Sequence, residues 1–115
     1  MTNLIIEEMS DTKSMVDFVI DGKKYCVMKN RLKSALVECK IWQFTGGTNF
    51  TCKLFDLIAK ADDYNKLKIL LGFPAEMCAY LMWFHKSIFG VKCDPFTCSD
   101  IEFFNKAFER LNKEF

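Results

Sequence analysis

Met15-Val-Asp-Phe-Val-Ile-Asp-Gly-Lys-Lys-Tyr-Cys-Val-Met28 decides the fold class, because it is the first clear element of the chain and it reads as β-structure. Met15–Ile20 and Lys24–Met28 are runs of β-branched and aromatic residues. Asp21-Gly22 lies between them, and glycine can take the positive φ that a two-residue hairpin turn demands. A lone hairpin is marginal in water, so helices must cover one of its faces. The expected fold is α+β and mainly helical, an N-terminal β-hairpin followed by four or five short helices. It forms a single domain over 1–115, with 1–14 set apart as a flexible N-terminal segment.

Working outward, the period changes at Asn30. Leu32, Leu36, Cys39 and Gln43, with Ala35 and Trp42 alongside, recur at three- and four-residue steps, which predicts a helix. The alternation in Lys40-Ile-Trp-Gln-Phe44 leaves a strand as the alternative there. Gly46-Gly47 breaks the chain. Thr51 is then placed to cap a helix whose inward stripe is Leu54, Phe55, Ile58 and Ala61. Asp62-Asp63 ends that helix and caps the next, with Leu67, Leu70 and Leu71 inward and Gly72 closing it. Pro74 suits the first position of a helix, where its missing N–H costs nothing. That helix is expected to run to about Phe89 and stop at Gly90. Val91 to Thr97, with Asp94-Pro95, reads as a loop. Ser99-Asp-Ile-Glu102 is a capping box. It opens a last helix with Ile101, Phe104, Ala107, Phe108, Leu111 and Phe115 on one face.

Composition narrows the function classes. The 115 residues are half apolar and carry sixteen basic against fifteen acidic side chains. A nucleic-acid binder shows a basic footprint and a nucleic-acid mimic a large acidic excess, so direct nucleic-acid contact is disfavoured. The N-terminus lacks the basic start and long apolar run of a secretory signal. The longest apolar run, Met77 to Phe84, falls short of the ~18 residues of a membrane span. A cytoplasmic protein without a membrane partner is expected. Cys26, Cys39, Cys52, Cys78, Cys93 and Cys98 include no C-x-x-C pair, and free thiols of this kind read as small core residues.

No catalytic or cofactor-binding residue is assigned. A zinc site is conceivable from Cys78, His85, Cys93 and Cys98, since thiolate and imidazole are its ligand types. The C-x4-C spacing is loose, however, and scattered core thiols are the default. His85 is the only histidine, so any Cys–His or Ser–His pair must use it. It directly follows an apolar run near a helix end, where histidines pack or interact with the helix dipole. Thr45-Gly-Gly-Thr-Asn-Phe-Thr51 lacks the lysine of a phosphate loop. Asp62-Asp63 and Glu7-Glu8 read as capping or surface carboxylates.

Aromatic residues are the chain's main resource. Residues 77–84 are apolar on every face of a helix, which is the pattern of a central helix or of one shared with a partner. Trp42, Phe44, Phe50, Trp83 and Phe103 are the candidate partner-binding residues, by the rule that large exposed apolar patches mark interfaces.

The segment from Thr45-Gly-Gly through Leu54-Phe-Asp-Leu-Ile58, Ala61-Asp62, Asn65, Lys66-Leu67, Phe73-Pro-Ala-Glu76 and Ala79 to Trp83 resembles small phage and prophage accessory proteins. They share the pattern TGG…LFxLIxxAD…NxxKL…FPxExxA and mostly lack an assigned activity. The resemblance covers residues 45–83 and carries over no catalytic residue. It implies a mobile-element origin more than an activity. Taken with the small size, the absent active site and the aromatic surplus, it leads to the expectation of a non-enzymatic phage or prophage protein that binds a host or viral protein, an inhibitor of a host defence system such as CRISPR being one version. The alternatives are a virion assembly chaperone or self-associating structural protein, hence a homo-oligomer, and a metal-dependent module using His85 and the cysteines.

Overall fold

The computed structural model describes residues 4–6, 15–20, 22–88, 91–93 and 98–113. Met15–Ile20 (β2) and Lys23–Met28 (β3) pair antiparallel as expected, with Phe18 opposite Tyr25 and Val16 opposite Val27. Gly22 takes φ +81° between them, the left-handed conformation that makes glycine fit this turn. Alternation sets which side faces in: Val16, Phe18 and Ile20 are buried, while Met15, Asp17 and Val19 are only partly covered.

The sheet has a third strand that the sequence reading missed. Within 1–14, expected as a flexible segment, Leu4–Ile6 (β1) pairs antiparallel with β2, giving the order β1-β2-β3. Three apolar residues are too short to display a period, so only the exposed edge of β2 decides their conformation. The other residues of that segment lie outside the described ones.

Five helices follow: Lys29–Thr45 (α1), Phe50–Lys60 (α2), Asp63–Gly72 (α3), Pro74–His85 (α4) and Asp100–Lys113 (α5). Residues 40–44 are helix, which settles the strand alternative there. α1 ends where glycine permits it, with Gly46 at φ 60°, ψ 46° and its N–H donating to the Trp42 carbonyl. Asp62 caps α3 by accepting the Asn65 N–H at 2.9 Å, and Pro74 opens α4. The Ser99 hydroxyl accepts the Glu102 N–H at 3.2 Å at the start of α5.

Five expectations are corrected. The cap of α2 is Asn49, whose side-chain oxygen accepts the Cys52 N–H at 2.8 Å, and Thr51 lies inside the first turn. In α3 only Leu70 is buried, and Leu67 and Leu71 face solvent, because α3 touches the fold along one narrow line against α4. α4 stops at His85 instead of Phe89: Lys86 adopts φ 52°, ψ 43°, and its N–H closes back on Met82 and Trp83. The chain then forms a small hairpin, Ser87–Ile88 (β4) with Val91–Lys92 (β5), where a helix end and a loop were expected. Gly90 and residues 94–97 lie outside the described residues. On α5 the inward face is Phe103, Phe104, Ala107 and Leu111, with Ile101 turned out and Phe115 outside the described residues.

α4 is the centre of the molecule. Ala75 and every residue from Met77 to Met82 are buried, and the helix touches all four other helices together with β1, β3 and β4. Its all-round apolar sequence is therefore explained by burial within the chain. The buried side chains of the sheet and all five helices form one contiguous core.

Candidate protein-docking surface

The thiol and imidazole candidates do not assemble. Cys78 is fully buried in α4, and burial pushes its thiol well above the ordinary 9.0. His85 ends the same helix and meets the Phe84 ring edge-on at 5.2 Å between centroids. Cys93 and Cys98 do meet: burial first, then a hydrogen bond with Cys93, raises the Cys98 thiol. Two thiols make an incomplete set, and among the described residues no group of three or more His, Cys, Asp or Glu side chains could hold a metal ion.

The aromatic candidates divide by what holds them. Trp42 is half-buried, stacks on Phe55 at 5.5 Å and donates its indole N–H to Asp56 at 2.8 Å. Trp83 meets Trp42 edge-on at 5.4 Å and donates its indole N–H to Asp100 at 3.1 Å. Both are staples between helices, their polar ends already matched inside the fold. Phe103 is 0% exposed and packs on Phe104 at 5.1 Å, so its candidacy as a partner-binding residue is withdrawn. The reason is the phase of α5, whose contacts with α1, α4 and β4 centre the buried arc on 103, 104, 107 and 111. Phe44 and Phe50 remain exposed, Phe50 by 68%.

Phe50 belongs to a larger surface. On α2, Phe50 and Leu57 lie two turns apart and both are exposed, along the edge of the buried row that Leu54, Phe55 and Ile58 form. On α3, Tyr64, Leu67 and Leu71 fall at i, i+3 and i+7, and Leu71 is 73% exposed. The Phe73 ring lies 5.8 Å from that of Phe50, closing the far end of the α2–α3 pair, while Ala61 and Asp62 join the near end. Each helix thus has one apolar row in the core and another in water. The signal was present in the sequence: Leu67, Ile69, Leu70 and Leu71 cannot all point one way from a helix.

A second apolar feature lies between α1 and α5. Val37, Ile41 and Phe44 sit on the solvent side of α1, and with Ile101 and Phe108 they line an open groove of about 410 Å³. Lys40 supplies its charged edge. No helix among the described residues is long and apolar enough to cross a membrane.

Comparison with protein-family models, curated proteins and solved structures gives no match to this chain.

Proposed function

We propose that this protein works by binding another protein, without catalysis, and that the α2–α3 face is where it docks. The observation that carries the reading is the pair of apolar rows left in water, Phe50 and Leu57 on one helix and Tyr64, Leu67 and Leu71 on the other. Solvating that much clustered hydrocarbon costs free energy that a partner recovers. The resemblance to phage and prophage accessory proteins spans residues 45–83, which include both helices. It supports a steric inhibitor of a host defence system, a CRISPR effector being one such target.

The test uses the purified full chain as bait in infected and uninfected host extracts, beside Leu71→Asp and Leu57→Asp. Both sites are exposed, so the variants should keep native circular dichroism and melting. Specific capture of a host or viral protein, lost in both variants, supports the proposal. Capture that survives both substitutions removes the α2–α3 face from it, and no capture at all removes the protein-binding function.

The α1–α5 groove favours a second reading, self-association in an assembly role, because its exposed apolar lining is separate from the α2–α3 face. A stable oligomer in sedimentation at micromolar concentration that Ile41→Asp dissolves would favour this reading over the first.

A further inference from the structure

We infer that Cys93 and Cys98 are an oxidative modification site: hydrogen peroxide converts the two thiols into an intramolecular disulfide that fastens β5 to the start of α5, and a dithiol reverses it. The site lies outside the α2–α3 face and does not depend on the docking reading.

The six cysteines differ in their surroundings. Cys39, Cys52 and Cys78 are fully buried, out of reach of an oxidant. Cys26 is exposed on β3, but its hydrogen-bond partner is the Asp17 carboxylate, and an anion there disfavours a thiolate. Cys93 and Cys98 are hydrogen-bonded thiol to thiol. Cys93 is half-buried and reached by solvent, while Cys98 belongs to the buried core. Among the described residues no third ligand completes a metal set, so the chemistry of the pair is that of a dithiol.

Both backbones are already held. The Cys93 N–H donates to the Lys86 carbonyl at 2.8 Å, continuing the β4–β5 hairpin. Cys98 Sγ lies 3.7 Å from the Ser99 carbonyl oxygen, which also accepts the Phe103 N–H at 2.9 Å in the first turn of α5. The Lys86–Asp100 ion pair, at 3.0 Å, ties the base of the same hairpin to the same helix end. A disulfide forms without strain only where the fold brings the two residues together, and these anchors do so before any bond exists. Closing the pair is then unimolecular, which favours it over reaction with another chain.

In the first step Cys93 loses its proton and its sulfur attacks one peroxide oxygen. The S–O bond forms, the O–O bond breaks, and the departing hydroxide takes up the proton as water. The Cys98 sulfur then attacks the sulfenic sulfur of Cys93. The S–S bond forms, the S–O bond breaks, and the second hydroxide leaves as water with the Cys98 proton. Two thiols together lose two electrons, and one peroxide becomes two waters. A dithiol reductant reverses the change by attacking Cys93, the sulfur that solvent reaches.

Peptide mapping of the full chain after one equivalent of hydrogen peroxide tests this, because trypsin leaves both cysteines in the single peptide Cys93–Lys106. The expected result is that this peptide loses two hydrogens while Cys39 and Cys78 remain thiols, and that dithiothreitol restores it. Closure should be about tenfold faster in the folded chain than in urea, and the oxidised chain should melt about 5 °C higher. In Cys98→Ser, Cys93 should stall as a sulfenic acid that dimedone traps. The mapping uses the parent chain, so it does not depend on a variant folding. Disulfide-linked dimers or oxidised Cys26 as the main product, or closure no faster in the folded chain than in urea, overturns the inference.

Discussion

Lys86 Nζ lies 3.0 Å from Asp100 Oδ1, and the same carboxylate oxygen accepts the Trp83 indole N–H at 3.1 Å. The ammonium also donates to the Trp83 carbonyl at 2.8 Å and sits 4.8 Å from the centre of the Trp83 ring. One lysine in a left-handed conformation thus closes α4 and ties it to the first residue of α5.

Asp100→Ala should destabilise the fold by about 1–2 kcal/mol, because it removes a charge-assisted pair and an indole acceptor together. The Lys86–Asp100 coupling alone should stay below about 1 kcal/mol, since the Asp100 side chain is 36% exposed and water screens the pair. Urea unfolding of the single and double variants measures both. A coupling of several kcal/mol would mean the pair is far better shielded than its exposure indicates.

Phe103→Ala and Ile101→Ala separate the observed phase of α5 from the stripe read in the sequence. Phe103 is fully buried and its loss should cost about 3–5 kcal/mol, whereas Ile101 is 51% exposed and should cost about 0.5 kcal/mol or less. Denaturant midpoints of the two variants decide between the phases, and the reverse order would restore the original stripe.

Asn49→Ala should lower stability by about 1 kcal/mol by leaving the Cys52 N–H without its cap, while Thr51→Ala changes little. Thermal melts at one pH suffice. An equal loss from both substitutions would show that Thr51 shares the capping.

Alkaline pH should unfold the protein through its buried thiols. Burial, reinforced by the nearby Asp100 carboxylate, pushes the Cys39 thiol from 9.0 to about 12, and burial raises Cys78 further still. A folded-state value above the unfolded one means that stability is intact below about pH 9 and is lost progressively as pH rises toward about 12. Melting temperature should therefore decline over that range, and Cys39→Ala should flatten the decline while lowering stability at neutral pH. A Cys39→Ala decline as steep as that of the parent chain would assign the alkaline loss to other groups.

What the sequence determined by itself was the β2–β3 hairpin, the five helices and most of their boundaries. Gly22, Gly46, Asp62, Pro74 and Ser99 act on backbone groups within about four residues, so their effects are legible without a fold. The inward stripe of α1 (Leu32, Ala35, Leu36 and Cys39) was equally legible, because its apolar residues crowd onto one arc.

Tertiary structure decided everything that depends on a distant neighbour. α4 ends at His85 because Lys86 finds Asp100 fourteen positions along the chain, and Leu4–Ile6 becomes a strand because β2 has an open edge. α3 and α5 carry apolar side chains around more of their circumference than one contact can cover, so periodicity allows several phases and only the packing of α1 and α4 selects among them. For the same reason the sequence shows that some leucine of α3 must face out but not which: Leu67 and Leu71 are told from the buried Leu70 only by the fold, which leaves them exposed.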